Sequence, residues 1–123
     1  MPHTFWVESD DVWVADGNRV LWRGKPDGRD VVHVVALPST NDAVVLLKAP
    51  AEGHGKGASI GTWTNLVRIA SDGGIVWRAG GLDLEDFWTS VRWAGGLFAG
   101  TCAGFDVNLD PETGEMVSRT FTR

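Results

Sequence analysis

The chain has 123 residues, of which 43% are hydrophobic and 22% charged, and this fits one globular domain. Its formal net charge of −5 excludes binding to nucleic acid or anionic lipid by counterion release, because phosphate-rich surfaces repel an acidic protein. The longest apolar runs are far shorter than the roughly 20 residues of a membrane-spanning helix, so no contact with a membrane is expected.

The chain contains a single cysteine, Cys102. Neither an intramolecular disulfide nor a cysteine-based zinc site can therefore form within one chain. The first residues lack the basic region and continuous apolar stretch of a secretory signal. We therefore expect a cytoplasmic protein that is stabilised by packing, with its seven tryptophans as the largest anchors.

Glycine and proline interrupt the chain every eight to twelve residues or so, and β-branched and aromatic residues dominate between these breaks. This rhythm predicts strands at residues 4–8, 11–15, 19–23, 31–37, 43–48, 65–70, 75–79, 87–93, 97–102, 105–110 and 115–121. The clearest is 105–110, where apolar and polar residues alternate. No segment shows a convincing helical period, so we predict an all-β, antiparallel fold.

Three segments share one pattern, which is a strand, an acidic turn with glycine, and a second strand with an arginine: residues 12–23, 66–78 and 107–119. Gly73 and Gly114 are 41 residues apart, within the roughly 40 to 45 residues of a four-stranded propeller blade. Gly17 and Gly73 are 56 apart, and the excess of 15 matches the Gly- and Ala-rich segment 48–62. Trp22 and Trp77 share a position in the pattern, which predicts that they are blade-core residues.

These repeats predict one domain, 1–123, made of about two and three-quarter propeller-like blades. We expect a partial blade at 4–23, a blade at 31–79 with an inserted loop at 48–62, and a blade at 87–121. A β-sandwich or meander of the same strands is the alternative. Gly73 and Gly114 should occupy equivalent hairpin turns, one in each of the last two blades.

Several residues of the second and third repeats match a known pattern: Gly73 and Trp77 in the second, and Asp110, Thr113 and Gly114 in the third. At these positions the chain resembles the β-propeller repeats of the pyrroloquinoline-quinone-dehydrogenase type, whose blades carry Ala-x-Asp-x-x-Thr-Gly-x-x-x-Trp. Ser118 stands where the third repeat would carry the tryptophan. The resemblance covers residues 31–123 and implies the blade architecture. It does not imply the quinone, because most propellers with such blades bind none, and no cofactor is expected.

The segment 52–59 contains Gly-x-Gly-x-x-Ala, but an extended segment follows it where a nucleotide-binding loop requires a helix N-terminus. We interpret it as a mobile surface loop, and the alternative is that the loop contacts a partner, with His54 and Lys56 as the predicted binding residues. Trp63 borders this loop, and it is predicted to be an exposed binding residue.

Trp88 is the second tryptophan predicted to be exposed. Regular strand alternation would place it on the same face as Ser90 and Arg92, two polar neighbours at i+2 and i+4. An exposed tryptophan is a common anchor at protein interfaces.

An enzyme is the alternative function class. Asp83, Glu85 and Asp86 form an acidic cluster beside Trp88, and His33 lies in a strand, so a small hydrolase or lyase could use a carboxylate or His cleft. A solvated acidic loop explains these residues more simply, and no catalytic residue is predicted. The three histidines lack ligand spacing, and no metal site is predicted.

The open edges of an incomplete set of blades favour a non-catalytic protein-interaction or scaffold module. We expect a homo-oligomer, most simply a dimer, or a complex with another protein. Trp6 and Phe121, in the first and last strands, are the predicted contacts. A narrower possibility is an acidic immunity-type inhibitor that fills a basic active site.

Overall fold

A computed structural model describes residues 3–49, 64–83 and 86–122, and these residues form eleven strands and one short 3₁₀ turn at Pro26–Gly28. The strands are β1 (Thr4–Glu8), β2 (Asp11–Asp16), β3 (Arg19–Gly24), β4 (Val31–Ala36), β5 (Ala43–Leu47), β6 (Leu66–Ile69), β7 (Ile75–Arg78), β8 (Trp88–Trp93), β9 (Leu97–Thr101), β10 (Phe105–Leu109) and β11 (Met116–Phe121). Every predicted strand is present, and each end lies within one residue of its predicted position.

The strands form three antiparallel meanders, in the orders β1-β2-β3, β4-β5-β6-β7 and β8-β9-β10-β11. We call them the first, second and third blade. The prediction of an all-β, antiparallel fold is confirmed, and three sheets are present where a sandwich would have two. No helix in the described part of the chain is long and apolar enough to cross a membrane.

Two hydrophobic clusters pack the blades face to face. The cluster between the first and second blades contains Val12, Val31, Val45, Leu47, Val67 and Ile69, with Phe5, Val7, Trp22, Val34 and Ile75 at its margin. The cluster between the second and third blades contains Leu37, Val44, Leu46, Leu66, Trp77, Ala79, Trp88, Val91, Leu97, Ala99, Val107 and Leu109. Residues 44–47 of β5 alternate between the two clusters, which is why both faces of this strand are buried.

Two tryptophans cover two glycine turns across the blade interfaces. Gly73 and Gly114 both have positive φ angles, +83° and +77°. A methyl group on Gly73 would collide with the ring of Trp22, and one on Gly114 would lie 2.5 Å from the ring of Trp77. The equivalence of these two turns is therefore confirmed, and Trp77, at 8% exposure, is buried as predicted.

The first repeat departs from the other two at its turn. Asp16 pairs with Arg19 in the β2–β3 register, so Gly17 and Asn18 form a tight two-residue hairpin. A side chain on Gly17 would meet nothing within 4 Å. The prediction that Gly17 corresponds to Gly73 is wrong, because the shorter turn places no glycine where an aromatic ring could cover it.

Asn65 joins the second and third blades through a buried polar contact. Its side chain is fully buried, and its amide nitrogen donates to the carbonyls of Leu47 and Trp88 at 3.0 and 2.8 Å. Its amide oxygen accepts the N–H of Trp88 at 3.0 Å. Three hydrogen bonds satisfy this side chain inside an apolar interface, where an unpaired amide would be costly.

Candidate functional site

The first blade has an incomplete sheet within the described residues. Its hairpin β2–β3 corresponds to β6–β7, because Trp22 and Trp77 occupy the same place in β3 and β7. β1 therefore corresponds to β5, yet β5 pairs with a strand on each side while β1 pairs with β2 alone. The other edge of β1 presents backbone N–H and C=O groups that a further strand can pair with.

A row of large side chains crosses the face of the first blade that points away from the second. Phe5 and Val7 pack on the core, so strand alternation turns Trp6 to the opposite face. Trp6 pairs in register with Trp13, and the two rings stack with centroids 5.8 Å apart. The guanidinium of Arg23, which pairs with Trp13 from β3, lies 4.5 Å from the centre of that ring. We call this row and the adjacent edge of β1 the first-blade surface.

Polar contacts fix the first-blade surface in position. Asp11 accepts a short hydrogen bond from Lys25 at 2.6 Å and lies 3.7 Å from Arg23. The indole N–H of Trp13 donates to the carbonyl of Glu8 at 3.2 Å. These contacts hold the rings and the guanidinium in one orientation, which lowers the entropy lost when a partner binds.

The start of β1 is also tied to the second blade. His3 Nδ1 lies 2.6 Å from the hydroxyl of Ser71, which is within hydrogen-bond distance, and that hydroxyl donates to the carbonyl of Asn41 at 2.9 Å. β1 packs beside β4. Its edge is therefore held on the scaffold by groups outside its own sheet.

The outer face of the third blade has a different chemistry. Arg92 forms two hydrogen bonds with Asp106, at 2.8 and 3.0 Å, and its guanidinium lies over Phe98. This contact lowers the pKa of Asp106 below its ordinary value and keeps the carboxylate charged. Asn108 pairs with Ser118 in register, so polar side chains continue across the sheet. This face is polar, like the cap of a repeat array, and it differs from the apolar face on which a further blade would pack.

Three of the predicted binding residues, His54, Lys56 and Trp63, lie outside the residues that the structure describes. The two predicted oligomer contacts are described, and they lie in different blades. Trp6 is half-buried in β1 of the first blade. Phe121 is 58% exposed in β11 of the third, where its ring packs against Phe105 at 5.3 Å.

The predicted exposure of Trp88 is wrong. The β8–β9 register shifts between Trp88 and Ser90, so a bulge breaks the alternation on which the prediction relied. Trp88 is only 1% exposed, in the core between the second and third blades, and its indole N–H donates to the carbonyl of Ala79. It supports the fold and presents no surface to a ligand.

The residues of the enzyme alternative have structural partners. Asp83 lies 3.6 Å from Arg119, and buried Asp86 accepts the backbone N–H groups of Phe87 and Ala103 at 2.9 Å. His33 is exposed on β4, and Glu85 lies outside the described residues. In residues 3–49, 64–83 and 86–122, no three His, Cys, Asp or Glu side chains are grouped as metal ligands.

Among solved structures, the chain is similar to BamB from Moraxella catarrhalis, a β-propeller protein, with a TM-score of 0.59 and 13% identity over 98% of this chain and 35% of that one. It is also similar to the computationally designed Ika8 protein, with a TM-score of 0.58 and 13% identity over 97% of this chain and 36% of that one. No family model matches the chain, and no curated protein matches its sequence.

The packed meanders and these similarities define an all-β protein of propeller-like blades. The blade architecture predicted from the repeats is confirmed at the level of the fold. The chain spans about a third of the length of the two structures it resembles.

Proposed function

We propose that this protein is a non-catalytic interaction module, which binds a protein partner through the first-blade surface. The observation that carries the proposal is the unpaired edge of β1 beside the stacked pair Trp6 and Trp13. Strand addition supplies backbone hydrogen bonds, and anchored aromatic side chains supply most of the binding energy at many interfaces.

The residues of β1 favour a second copy of the chain as the partner. A two-fold axis through Trp6 would pair two β1 strands antiparallel, with each Phe5 opposite Val7 and each Thr4 opposite Glu8. This register places apolar residues opposite each other and no like charges in contact. Phe121, exposed in the third blade, is not part of this β1 pairing and stays a separate predicted contact.

Sedimentation velocity at micromolar concentration tests the proposal with the variant Trp6→Lys. We expect the wild-type chain to sediment with the mass of two chains and Trp6→Lys with the mass of one, because two lysines would face each other across the axis. Val76→Lys is the matched control, since Val76 is 51% exposed in β7, away from the first-blade surface, and this variant should remain dimeric.

A monomeric wild-type chain would overturn the homodimer. Affinity capture from the native cell then tests a different protein partner, with Trp6→Lys and Val76→Lys as baits beside the wild type. A partner lost only with Trp6→Lys supports the interaction module. Identical captures with all three baits would overturn it.

A further inference from the structure

A cleft of about 230 Å³ opens between the second and third blades, away from the first-blade surface. Its lining includes Leu37, Pro38, Arg68, Trp93, Pro111 and Glu112. Three of these side chains are apolar and aliphatic, one is an indole and two carry charge. The cleft therefore combines an apolar wall with a small number of polar groups, which is the usual composition of a binding site.

One wall of the cleft is rigid and electrically balanced. Arg68 places Nε at 2.9 Å and a terminal nitrogen at 2.8 Å from the carboxylate of Asp42, which neutralises its charge. Its other terminal nitrogen donates to the carbonyl of Pro111 at 2.7 Å, and the indole N–H of Trp77 donates to the same oxygen at 2.8 Å. These bonds fix the β10–β11 turn, which carries Glu112, against the second blade.

Two further functional groups of the cleft are exposed, while the hydroxyl of Thr40 donates to the carbonyl of Leu37. Trp93 ends β8 and is 39% exposed, although large apolar side chains are normally buried. Glu112 is exposed in the β10–β11 turn, and no described residue forms an ion pair or hydrogen bond with its carboxylate. Since Asp42 balances Arg68, the cleft presents an aromatic face together with one uncompensated negative charge.

Elsewhere in the chain, the combination of an aromatic ring and a carboxylate binds an arginine side chain. Among the described residues, three arginines each lie over an aromatic ring while pairing with an aspartate: Arg23 on Trp13 with Asp11, Arg92 on Phe98 with Asp106, and Arg119 on Phe105 with Asp83. The guanidinium lies 4.3 to 5.0 Å from the ring centre in all three. Trp93 and Glu112 offer the ring and the carboxylate, and no arginine of the described chain lies over Trp93.

We propose that this cleft binds an arginine side chain of a partner polypeptide. The guanidinium stacks on Trp93 and pairs with Glu112, and its aliphatic stem packs on Pro38 and Pro111. Arginine suits the cleft better than lysine, because its planar group stacks on an indole while its N–H groups bind a carboxylate. The net charge of −5 attracts a basic partner toward the site.

The test uses the peptide acetyl-Ala-Arg-Ala-amide, titrated into the ¹⁵N-labelled chain while the indole N–H signals are followed by NMR. The Trp93 signal is assigned from the variant Trp93→Phe. We expect the peptide to shift this signal and binding to weaken as salt is added. Glu112→Gln should weaken binding about fivefold, which corresponds to the loss of one exposed charge pair on an aromatic face. Glu115→Gln, an exposed glutamate of the same turn outside the cleft lining, should leave binding unchanged.

Two further comparisons test whether the charge of the arginine is recognised and whether the peptide binds in the cleft. The same peptide with citrulline in place of arginine keeps the shape and removes the charge, and it should bind at least about fivefold more weakly. Equal binding of both peptides, an equal effect of the two glutamate variants, or shifts confined to other indoles would overturn the proposal. Trp6→Lys should bind the peptide like the wild type, so this result is independent of the first-blade surface.

Discussion

At the scale of single residues, two of the contacts between blades are made by indole rings over glycines. Trp77 could be assigned to the core from the sequence, because it repeats the position of Trp22 in the pattern. Trp88 could not, since its environment is set by a one-residue bulge in β8 and nothing in the local pattern of residues marks that bulge. The stacking of Trp6 on Trp13 could not be predicted from the sequence either, because it depends on the register of two strands.

We predict that Gly114→Ala lowers the free energy of unfolding by about 2 to 5 kcal/mol. The new methyl group would meet the ring of Trp77 at 2.5 Å, and the backbone has a φ of +77°. Gly95→Ala is the control, because Gly95 has a φ of +70° but open space around it, and we expect a loss of about 1 kcal/mol there. Urea denaturation measures both. Equal losses would show that Trp77 does not constrain its glycine.

At the scale of elements, turn residues and alternation were sufficient to place all eleven strands. The lengths of the turns were harder to predict from the sequence, because hairpins of different length use the same acidic and glycine residues. Gly17 illustrates this point, since its two-residue turn looks like the longer turn at Gly73 in sequence. Contacts between elements distant in the chain, such as Asp27 of the 3₁₀ turn with Arg78 of β7, have no signal in a single sequence.

The Asp27–Arg78 pair gives a prediction about pH. Two hydrogen bonds, at 3.0 and 2.7 Å, lower the pKa of Asp27 below its ordinary value. The stabilisation is therefore complete above about pH 4, the ordinary range of an aspartate, and is lost as the pH falls through the lowered pKa. We expect Asp27→Asn to be less stable than the wild type at pH 7, with the difference disappearing in acid.

Thermal melting across this pH range measures the effect, and Arg78→Gln supplies the partner for a double-mutant cycle. Both side chains are partly solvent-exposed, so the coupling should be small and should decrease with added salt. A difference between Asp27→Asn and the wild type that stays constant from neutral to acid pH would contradict the pairing.

At the scale of the whole molecule, the second blade packs against the first on one side and against the third on the other. The repeat spacing predicted the blades, and the structural similarities support a propeller-like fold. The chemistry of the two outer faces was not predictable, because it depends on which residues the twisted sheets bring into rows. One outer face is an aromatic row with an open strand edge, and the other is a polar network around Arg92.

We predict that Asn65→Ala lowers the free energy of unfolding by about 2 to 4 kcal/mol, because it removes three hydrogen bonds to the buried backbone of Leu47 and Trp88. Asn41→Ala, at an exposed position whose side chain holds no blade interface, should change stability by less than about 0.5 kcal/mol. Chemical denaturation of the two variants measures both changes in the free energy of unfolding. Equal stability would mean that the apolar cluster alone joins these blades.

The double burial of β5 has a consequence for how the protein opens. An outer blade can detach while the other two remain packed, and this exposes only one face of β5; both faces become accessible to water only when both neighbouring blades have left. Amide hydrogens in β5 should therefore exchange with solvent only through global unfolding, while those of β3 and β11 exchange through partial openings at the ends. Among the described residues, those of β5 would accordingly be the last to become accessible to a protease.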